Sequence, residues 1–202
     1  MSDLVPRSAA PQFTLTDIEV GARLYEALAQ HAAATRGAPI AYDALLTLAR
    51  SLHPKDATLG RAVPLGIGAK LSLVEAFCRA HAYPNLACLA VNPGSMRPRA
   101  GYVGDWEAER AAVAGGDWRA AAPLFAAYME ERRAAVPRRL KPRKERPADV
   151  AWYAYFCAHR AACAQVGTEE KKEIINLMMA GIDPESALRQ VLTAKAEFGN
   201  VA

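Results

Sequence analysis

The sequence predicts a mainly α-helical protein, with a helical N-terminal part that includes a small β-hairpin and a helical bundle at the C-terminal end. Two observations predict this class. Much of the 52% hydrophobic fraction is alanine, which favours helices. Apolar residues also recur at helical spacing along most of the chain, and Gly, Pro and Asn turns divide them into short elements. With 202 residues, of which 23% are charged, the chain can bury a core.

Two helices are predicted at the N-terminal end. Thr16 and Glu19 have the spacing of a capping box, in which each side chain bonds a free backbone N–H at the start of a helix. The Gly-Ala-Pro sequence at 37–39 ends this first helix. A second helix is predicted to begin at Asp43, and the breaker at 53–56 ends it.

A third helix is predicted over about 65–81, and a strand follows at 86–92 because this short apolar run lies between two turn sequences. Residues 96–103 are predicted to return as a second strand. The two strands then form a hairpin, whose tip carries Arg97 and Arg99.

Helices resume after the hairpin. Asp105 is predicted to cap a short helix, and Asp117 a longer one that ends near residue 136. Pro137, Pro142 and Pro147 are predicted to break any helix beyond that point, since proline removes a backbone donor and clashes with the preceding turn.

Three helices are predicted in the C-terminal part. The first covers 149–166, and the second begins at Thr168. Gly181 ends the second helix. Asp183 as N-cap and Pro184 at the first helical position begin the third.

Three helices followed by a strand pair with a basic tip is the element order of a winged helix, in which the third helix enters the major groove and the hairpin contacts phosphate. The chain is therefore predicted to have four parts. They are a disordered leader over 1–13, a winged-helix-like part over 14–104, helices and a basic hinge over 105–147, and a C-terminal helical part over 148–202.

Residues 40–102 also contain four short motifs of interest. They are Ile40-Ala41-Tyr42-Asp43, Leu59-Gly60-Arg61-Ala62-Val63, Cys88-Leu89-Ala90-Val91 and Gly101-Tyr102. In these motifs the region resembles the DNA-binding domain of the alkylguanine alkyltransferase and alkyltransferase-like family, which implies a winged-helix scaffold. Leu89 and Ala90 stand where that family has histidine and arginine, so no base is present to activate Cys88, and alkyl transfer is not expected.

The strongest functional signal is a basic hinge, which we define as residues 132–146. It holds eight of the 25 Lys and Arg residues of the chain and a single acid, Glu145. Such cations bind phosphate with release of counterions, and arginine suits bidentate contact. The alternative is a solvated linker between two helical halves. The predicted nucleic-acid-binding residues are Arg97, Arg99, Arg132, Arg133, Arg138, Arg139, Lys141, Arg143, Lys144 and Arg146.

Metal binding and catalysis receive less support. Two pairs have helical spacing, Cys78 with His81 and His159 with Cys163, and together they would supply four zinc ligands. However, the sequence has no C-x-x-C, and helical cysteine is commonly a small buried hydrophobe, so we expect no metal and no cofactor. The absence of a phosphate-binding Gly-rich loop, a carboxylate pair and a serine elbow predicts no enzyme activity.

The expected function is a non-enzymatic, nucleic-acid-associated binding protein, either a regulator or a subunit of a nucleoprotein complex, including bacterial or mobile-element defence systems. Its ligand would be DNA or RNA. The alternative is a protein–protein adaptor or inhibitor that docks on an acidic partner, with Met178 and Met179 on its docking face. No apolar run long enough for a membrane span, no signal-peptide pattern and only four cysteines predict a cytoplasmic location without membrane contact.

Overall fold

The computed structural model describes residues 13–99, 102, 104–138 and 140–199. Nine α-helices lie in this part of the chain, together with two short strands and two 3-10 helices, so the predicted mainly α class is confirmed. The helices are α1 (Leu15–Thr35), α2 (Tyr42–Leu52), α3 (Ala57–Arg61), α4 (Ile67–Ala80), α5 (Trp106–Ala114), α6 (Trp118–Ala134), α7 (Glu145–Ala158), α8 (Thr168–Met179) and α9 (Pro184–Gly199). The strands are β1 (Ile40–Ala41) and β2 (Ala90–Val91), and the 3-10 helices cover Pro64–Gly66 and Leu86–Leu89.

Helix α1 begins earlier than the sequence predicted. Its N-cap is Thr14, whose hydroxyl accepts the Asp17 N–H at 3.1 Å, while the Asp17 carboxylate accepts the Thr14 N–H at 3.0 Å. The prediction of Thr16 as the cap was wrong. Thr14 and Asp17 have the same three-residue spacing as Thr16 and Glu19 but lie two residues upstream, and both Thr14 and Asp17 are buried. Of the predicted leader, residues 1–12 lie outside the described part of the chain, and Phe13 is buried in the core.

Three other N-caps were predicted correctly from local sequence. The carboxylates of Asp105 and Asp183 accept the N–H of Ala108 and Ser186 at 3.1 and 2.9 Å, and Asp117 caps α6 in the same way. Helix α7, by contrast, covers Glu145–Ala158 and not 149–166. Pro147 lies in its first turn, where a missing N–H removes no helical hydrogen bond, so this proline does not break the helix.

The predicted β-hairpin is not formed by the residues that the structure describes. Of the run predicted as a strand, Leu86–Leu89 is a 3-10 helix and Ala90–Val91 alone is extended. This strand pairs in parallel with Ile40–Ala41, not with the segment that follows it. All six residues of 86–91 are buried, so the whole run packs inside the protein and not as one face of an exposed hairpin.

The segment that was predicted to return as the second strand forms a turn where it is described. Asn92 donates its backbone N–H to the Arg97 carbonyl at 2.9 Å, and Met96 donates to the Asn92 carbonyl at 2.8 Å. These bonds close a tight loop after β2, so Arg97 and Arg99 are not at a hairpin tip. Residues 100, 101 and 103 of the predicted strand lie outside the described part of the chain.

Two hydrophobic clusters divide the described residues into two halves. The N-terminal half, α1 to α6, packs around a group of aromatic rings in which Tyr25 stacks on Phe125 at 3.8 Å between centroids and Phe77 meets Tyr25 edge-on at 5.7 Å. The C-terminal half, α7 to α9, packs around Trp152 and Ile174. None of the described helices combines the length and the apolar character that crossing a bilayer requires.

The two halves are joined by a buried ion pair. Lys70 of α4 donates from Nζ to Glu173 Oε1 of α8 at 2.6 Å, and Asp17 Oδ1 of α1 lies 3.8 Å from the same nitrogen. Beside this pair, Asn176 of α8 donates from Nδ2 to the carbonyl of Arg61 at 3.1 Å. These polar contacts hold α8 against the N-terminal half.

Candidate nucleic-acid interface

The basic hinge connects α6 to α7 through an irregular segment whose backbone is anchored to the C-terminal half. Arg143 donates its N–H to the carbonyl of Met179, the last residue of α8, at 2.8 Å. The turn after α8 lies directly against the hinge at Gly181, where a Cβ would come within 2.8 Å of the Lys141 nitrogen. Gly181 also has a φ of 97°, which side chains disfavour. The middle of the hinge is therefore fixed on the protein surface.

The first two hinge cations are already neutralised. Arg132 and Arg133 belong to the last turn of α6, where they form ion pairs with Glu131 and Glu130. The guanidinium of Arg132 also lies 5.0 Å from the ring centroid of Tyr128. These partners compete with any external phosphate for the two arginines.

The remaining described hinge cations are exposed, and none of their side chains forms a hydrogen bond or ion pair with another described residue. They are Arg138, Lys141, Arg143, Lys144 and Arg146. Within nine positions this gives five unpaired cations against one acid, Glu145. Arg139, also predicted as a contact residue, lies outside the described part of the chain.

Arg97 and Arg99 contact other elements and do not join the hinge cations. Arg99 donates from Nη2 to Glu75 Oε2 of α4 at 2.9 Å. The guanidinium of Arg97 lies 5.4 Å from the centroid of the Trp106 ring at the start of α5. Both predicted residues therefore interact with the N-terminal half, and neither side chain forms a hydrogen bond or ion pair with the described hinge residues.

A groove of about 950 Å³ lies between the two halves and continues from the end of the hinge. One wall is the α2–α3 region, with Arg50, Arg61 and the residues that follow it; the other is α7 and α8, with Arg146 and Lys171. Sequence reasoning identified only Arg146 among these cations. The others come from segments far apart in the chain, and no local pattern marks them.

Most charges that line the groove have partners in the protein. Lys171 pairs with Asp149 at 2.9 Å, and Lys172 pairs with Glu169 at 2.7 Å. Arg50 donates to the carbonyls of Leu59 and Ala62, so its side chain supports the α3 segment. Among the described groove residues this leaves Arg61 on one wall and Arg146 on the other as cations without a partner, with Glu145 as an acid without one.

No protein-family model, curated protein or solved structure matches this chain. In the segment that resembles the alkyltransferase-like domain, Cys88 is 2% exposed, and burial above all raises the pKa of its thiol to about 12. Such a thiol is protonated at neutral pH and is a poor nucleophile. Gly101, from the last resembling motif, lies outside the described part.

The four zinc candidates do not come together. Cys78 belongs to the hydrophobic cluster of the N-terminal half and Cys163 to that of the C-terminal half. His81 packs on Phe77, and His159 stacks on Tyr155 with a ring distance of 4.2 Å. In the described part of the chain, no three side chains of the His, Cys, Asp and Glu types are grouped so that they would hold a metal ion.

Proposed function

We propose that this protein is a non-enzymatic, nucleic-acid-associated binding protein that contacts phosphate groups through the basic hinge. The observation that supports this most directly is the set of five exposed hinge cations that lack a partner among the described residues. The hinge backbone is held by the hydrogen bond of the Arg143 N–H and by its contact with Gly181, so these cations extend from a backbone that the fold keeps in place.

Two physical arguments favour phosphate as the ligand. A cation without an internal partner gains a contact on binding and loses none, and each phosphate it neutralises releases counterions from the nucleic acid. An anchored backbone also lowers the entropy that is lost when the complex forms. Three of the five residues are arginine, which can meet phosphate oxygens with two parallel hydrogen bonds.

We also propose a cellular role for this surface. A regulator or a subunit of a nucleoprotein complex, including a bacterial or mobile-element defence system, would use such a surface, with DNA or RNA as ligand. Cys78, Cys88, Cys157 and Cys163 are all free thiols, which fits the cytoplasm that we propose as its location.

An acidic protein partner is the second candidate function. The docking face predicted for it fails at Met178, which is fully buried in the C-terminal cluster. Another apolar surface lies beside the hinge, since Val150 and Tyr153 on the outer side of α7 are 61% and 67% exposed. Together with the hinge cations, these two side chains would suit a partner that is both acidic and apolar.

The experiment compares two variants with the same net charge. The hinge variant replaces four unpaired cations with glutamine: Lys141→Gln, Arg143→Gln, Lys144→Gln and Arg146→Gln. The control variant replaces four exposed cations elsewhere that also lack a partner among the described residues: Lys55→Gln, Arg79→Gln, Arg119→Gln and Arg160→Gln. Fluorescence anisotropy measures the binding of both to labelled single-stranded DNA, duplex DNA and single-stranded RNA over a salt series.

We expect the hinge variant to bind less tightly and the slope of log K against log salt to fall by about 3, since each lost phosphate contact removes about 0.7 to 0.9 from that slope. The control variant should keep the slope of the unmodified protein. Equal loss in both variants, or no binding to any nucleic acid at low salt, would contradict the proposal. Binding of polyglutamate but of no nucleic acid would favour the acidic protein partner.

A further inference from the structure

The groove between the two halves is suited to a ligand that carries both a phosphate and an apolar surface. Arg61 and Arg146 face it from opposite walls without partners among the described residues. The lining of the same groove includes the apolar residues Val63, Pro64 and Ile175. A groove that offers both cations and apolar side chains matches the chemistry of a nucleotide, which combines a charged phosphate with a largely apolar base face.

The size and rigidity of the groove limit what can enter it. Its volume of about 950 Å³ is within the range of about 300–1,000 Å³ that is usual for pockets around small molecules, so it can hold one or two nucleotides. The bond from Asn176 to the Arg61 carbonyl joins the two walls, and the buried Lys70–Glu173 pair holds α8 to α4 beside the groove, which disfavours wider opening. A duplex also has its bases stacked inside, away from the apolar lining.

We propose that the groove binds a segment of single-stranded nucleic acid, with a phosphate held between Arg61 and Arg146 and an adjacent base or sugar against Val63, Pro64 and Ile175. This inference rests on the proposed function, because Arg146 belongs to the basic hinge and the strand would pass from the hinge cations into the groove. The amide of Asn176 lines the same groove, and its Nδ2 is engaged by the Arg61 carbonyl and Glu173. Its oxygen is therefore the atom available to accept a hydrogen bond from a base edge.

Arg61 allows this inference to be tested separately from the hinge. Its side chain is exposed and has no partner among the described residues, so Arg61→Gln should leave the fold intact. The matched control is Arg79→Gln, which removes one exposed, unpaired cation at the far end of α4. Circular dichroism and the urea midpoint of both variants confirm that each is folded before binding is measured.

We expect Arg61→Gln to weaken binding to single-stranded DNA or RNA by about tenfold, as for the loss of one charge-assisted contact. Its binding to duplex DNA should change by less than about twofold, because the duplex reaches only the hinge. Arg79→Gln should change neither. A single strand that carries 4-thiothymidine should crosslink on irradiation to residues 60–64 or 171–176, as mapped by peptide mass spectrometry.

The outcomes separate the two proposals. If the four-residue hinge variant loses affinity while Arg61→Gln binds single strands as Arg79→Gln does, the hinge function stands and the groove inference is overturned. Equal weakening of single-stranded and duplex binding by Arg61→Gln also overturns it, since the groove would then not select single strands. If the unmodified protein binds no nucleic acid at all, the proposed function itself fails, and the groove inference with it.

Discussion

Lys70 and Glu173 lie 103 positions apart in the sequence, yet their side chains meet at 2.6 Å and each is only 4% exposed. Burial opposes the charge on Lys70, but Glu173 and the nearby Asp17 outweigh it, so the pKa of Lys70 lies above its ordinary value. The pair joins helix α4 of the N-terminal half to helix α8 of the C-terminal half. It acts together with the bond from Asn176 to the Arg61 carbonyl, which joins the groove walls directly.

Removal of the lysine charge should destabilise the whole chain. Lys70→Met leaves the Glu173 and Asp17 carboxylates buried without a cation, and we expect the free energy of unfolding in urea to fall by about 3–5 kcal/mol. The double variant Lys70→Met/Glu173→Met should lose less than the sum of the two single variants, because the second change removes an orphaned charge. Additive losses would show that the two side chains do not interact.

We expect that Gly66, which precedes helix α4, cannot be replaced by a larger residue without loss of stability. A Cβ at this position would overlap the Glu173 carboxylate. We expect Gly66→Ala to lower the free energy of unfolding by about 1–3 kcal/mol, as overpacking does. Gly68→Ala is the control two residues later, where a Cβ meets nothing within 4 Å, and it should be neutral or stabilise helix α4 by up to about 1 kcal/mol. Similar losses in both variants would contradict this account.

The four thiols should differ sharply in reactivity. Cys157 is exposed, whereas Cys78, Cys88 and Cys163 are buried and their pKa values are raised, first of all by burial. Because the thiolate is the reactive form, Ellman's reagent should label one thiol quickly in the native protein and all four in urea. Cys157→Ser should leave no fast-reacting thiol. A second fast thiol in that variant would mean that a buried cysteine opens to solvent.

The buried thiols also predict how stability depends on pH. Burial raises the pKa of Cys78 from 9.0 to about 11 and that of Cys88 from 9.0 to about 12. The folded state binds these two thiol protons more tightly than the unfolded state does. The stability that this difference adds to the folded state is complete below pH 9.0 and is lost as the pH rises towards 11 and 12. Urea unfolding should therefore show lower stability at about pH 10.5 than at about pH 8.

The control for this pH dependence is the double variant Cys78→Ala/Cys88→Ala. It should be less stable than the unmodified protein at both pH values, because two core side chains become smaller. Its stability should nevertheless fall less between the two pH values. An equal fall would assign the alkaline loss to other groups, such as Tyr25 and Tyr42, whose pKa values burial also raises from 10.0.

Sequence reasoning succeeded where a signal is local. Asp105, Asp117 and Asp183 were recognised as N-caps because each needs only its own carboxylate and the next few backbone N–H groups. The apolar run at 86–92 was misread as a hairpin strand. Its residues are buried on every side, and its strand partner lies some fifty positions upstream at Ile40–Ala41, which no local pattern reveals.

The residues of the candidate site were also predictable only where the sequence signal is local. The basic hinge was evident as a run of charge, but the run alone does not distinguish Arg132 and Arg133, which have acidic partners on α6, from the unpaired Arg143 and Arg146. Arg61 was not among the predicted contact residues, because its place opposite Arg146 depends on how the two halves pack. Lysine is mostly exposed in proteins, so only the fold shows that Lys70 is buried.

Because the Arg143 N–H bonds to the Met179 carbonyl, a ligand that binds the hinge as proposed would also stabilise the fold. The conformation of the hinge exists only while the turn after α8 is in place, since Gly181 and the end of α8 hold it. A ligand that recognises this arrangement binds the native chain in preference to the unfolded one. Saturating ligand would then raise the free energy of unfolding by mass action, about 2.7 kcal/mol at a hundred times its dissociation constant.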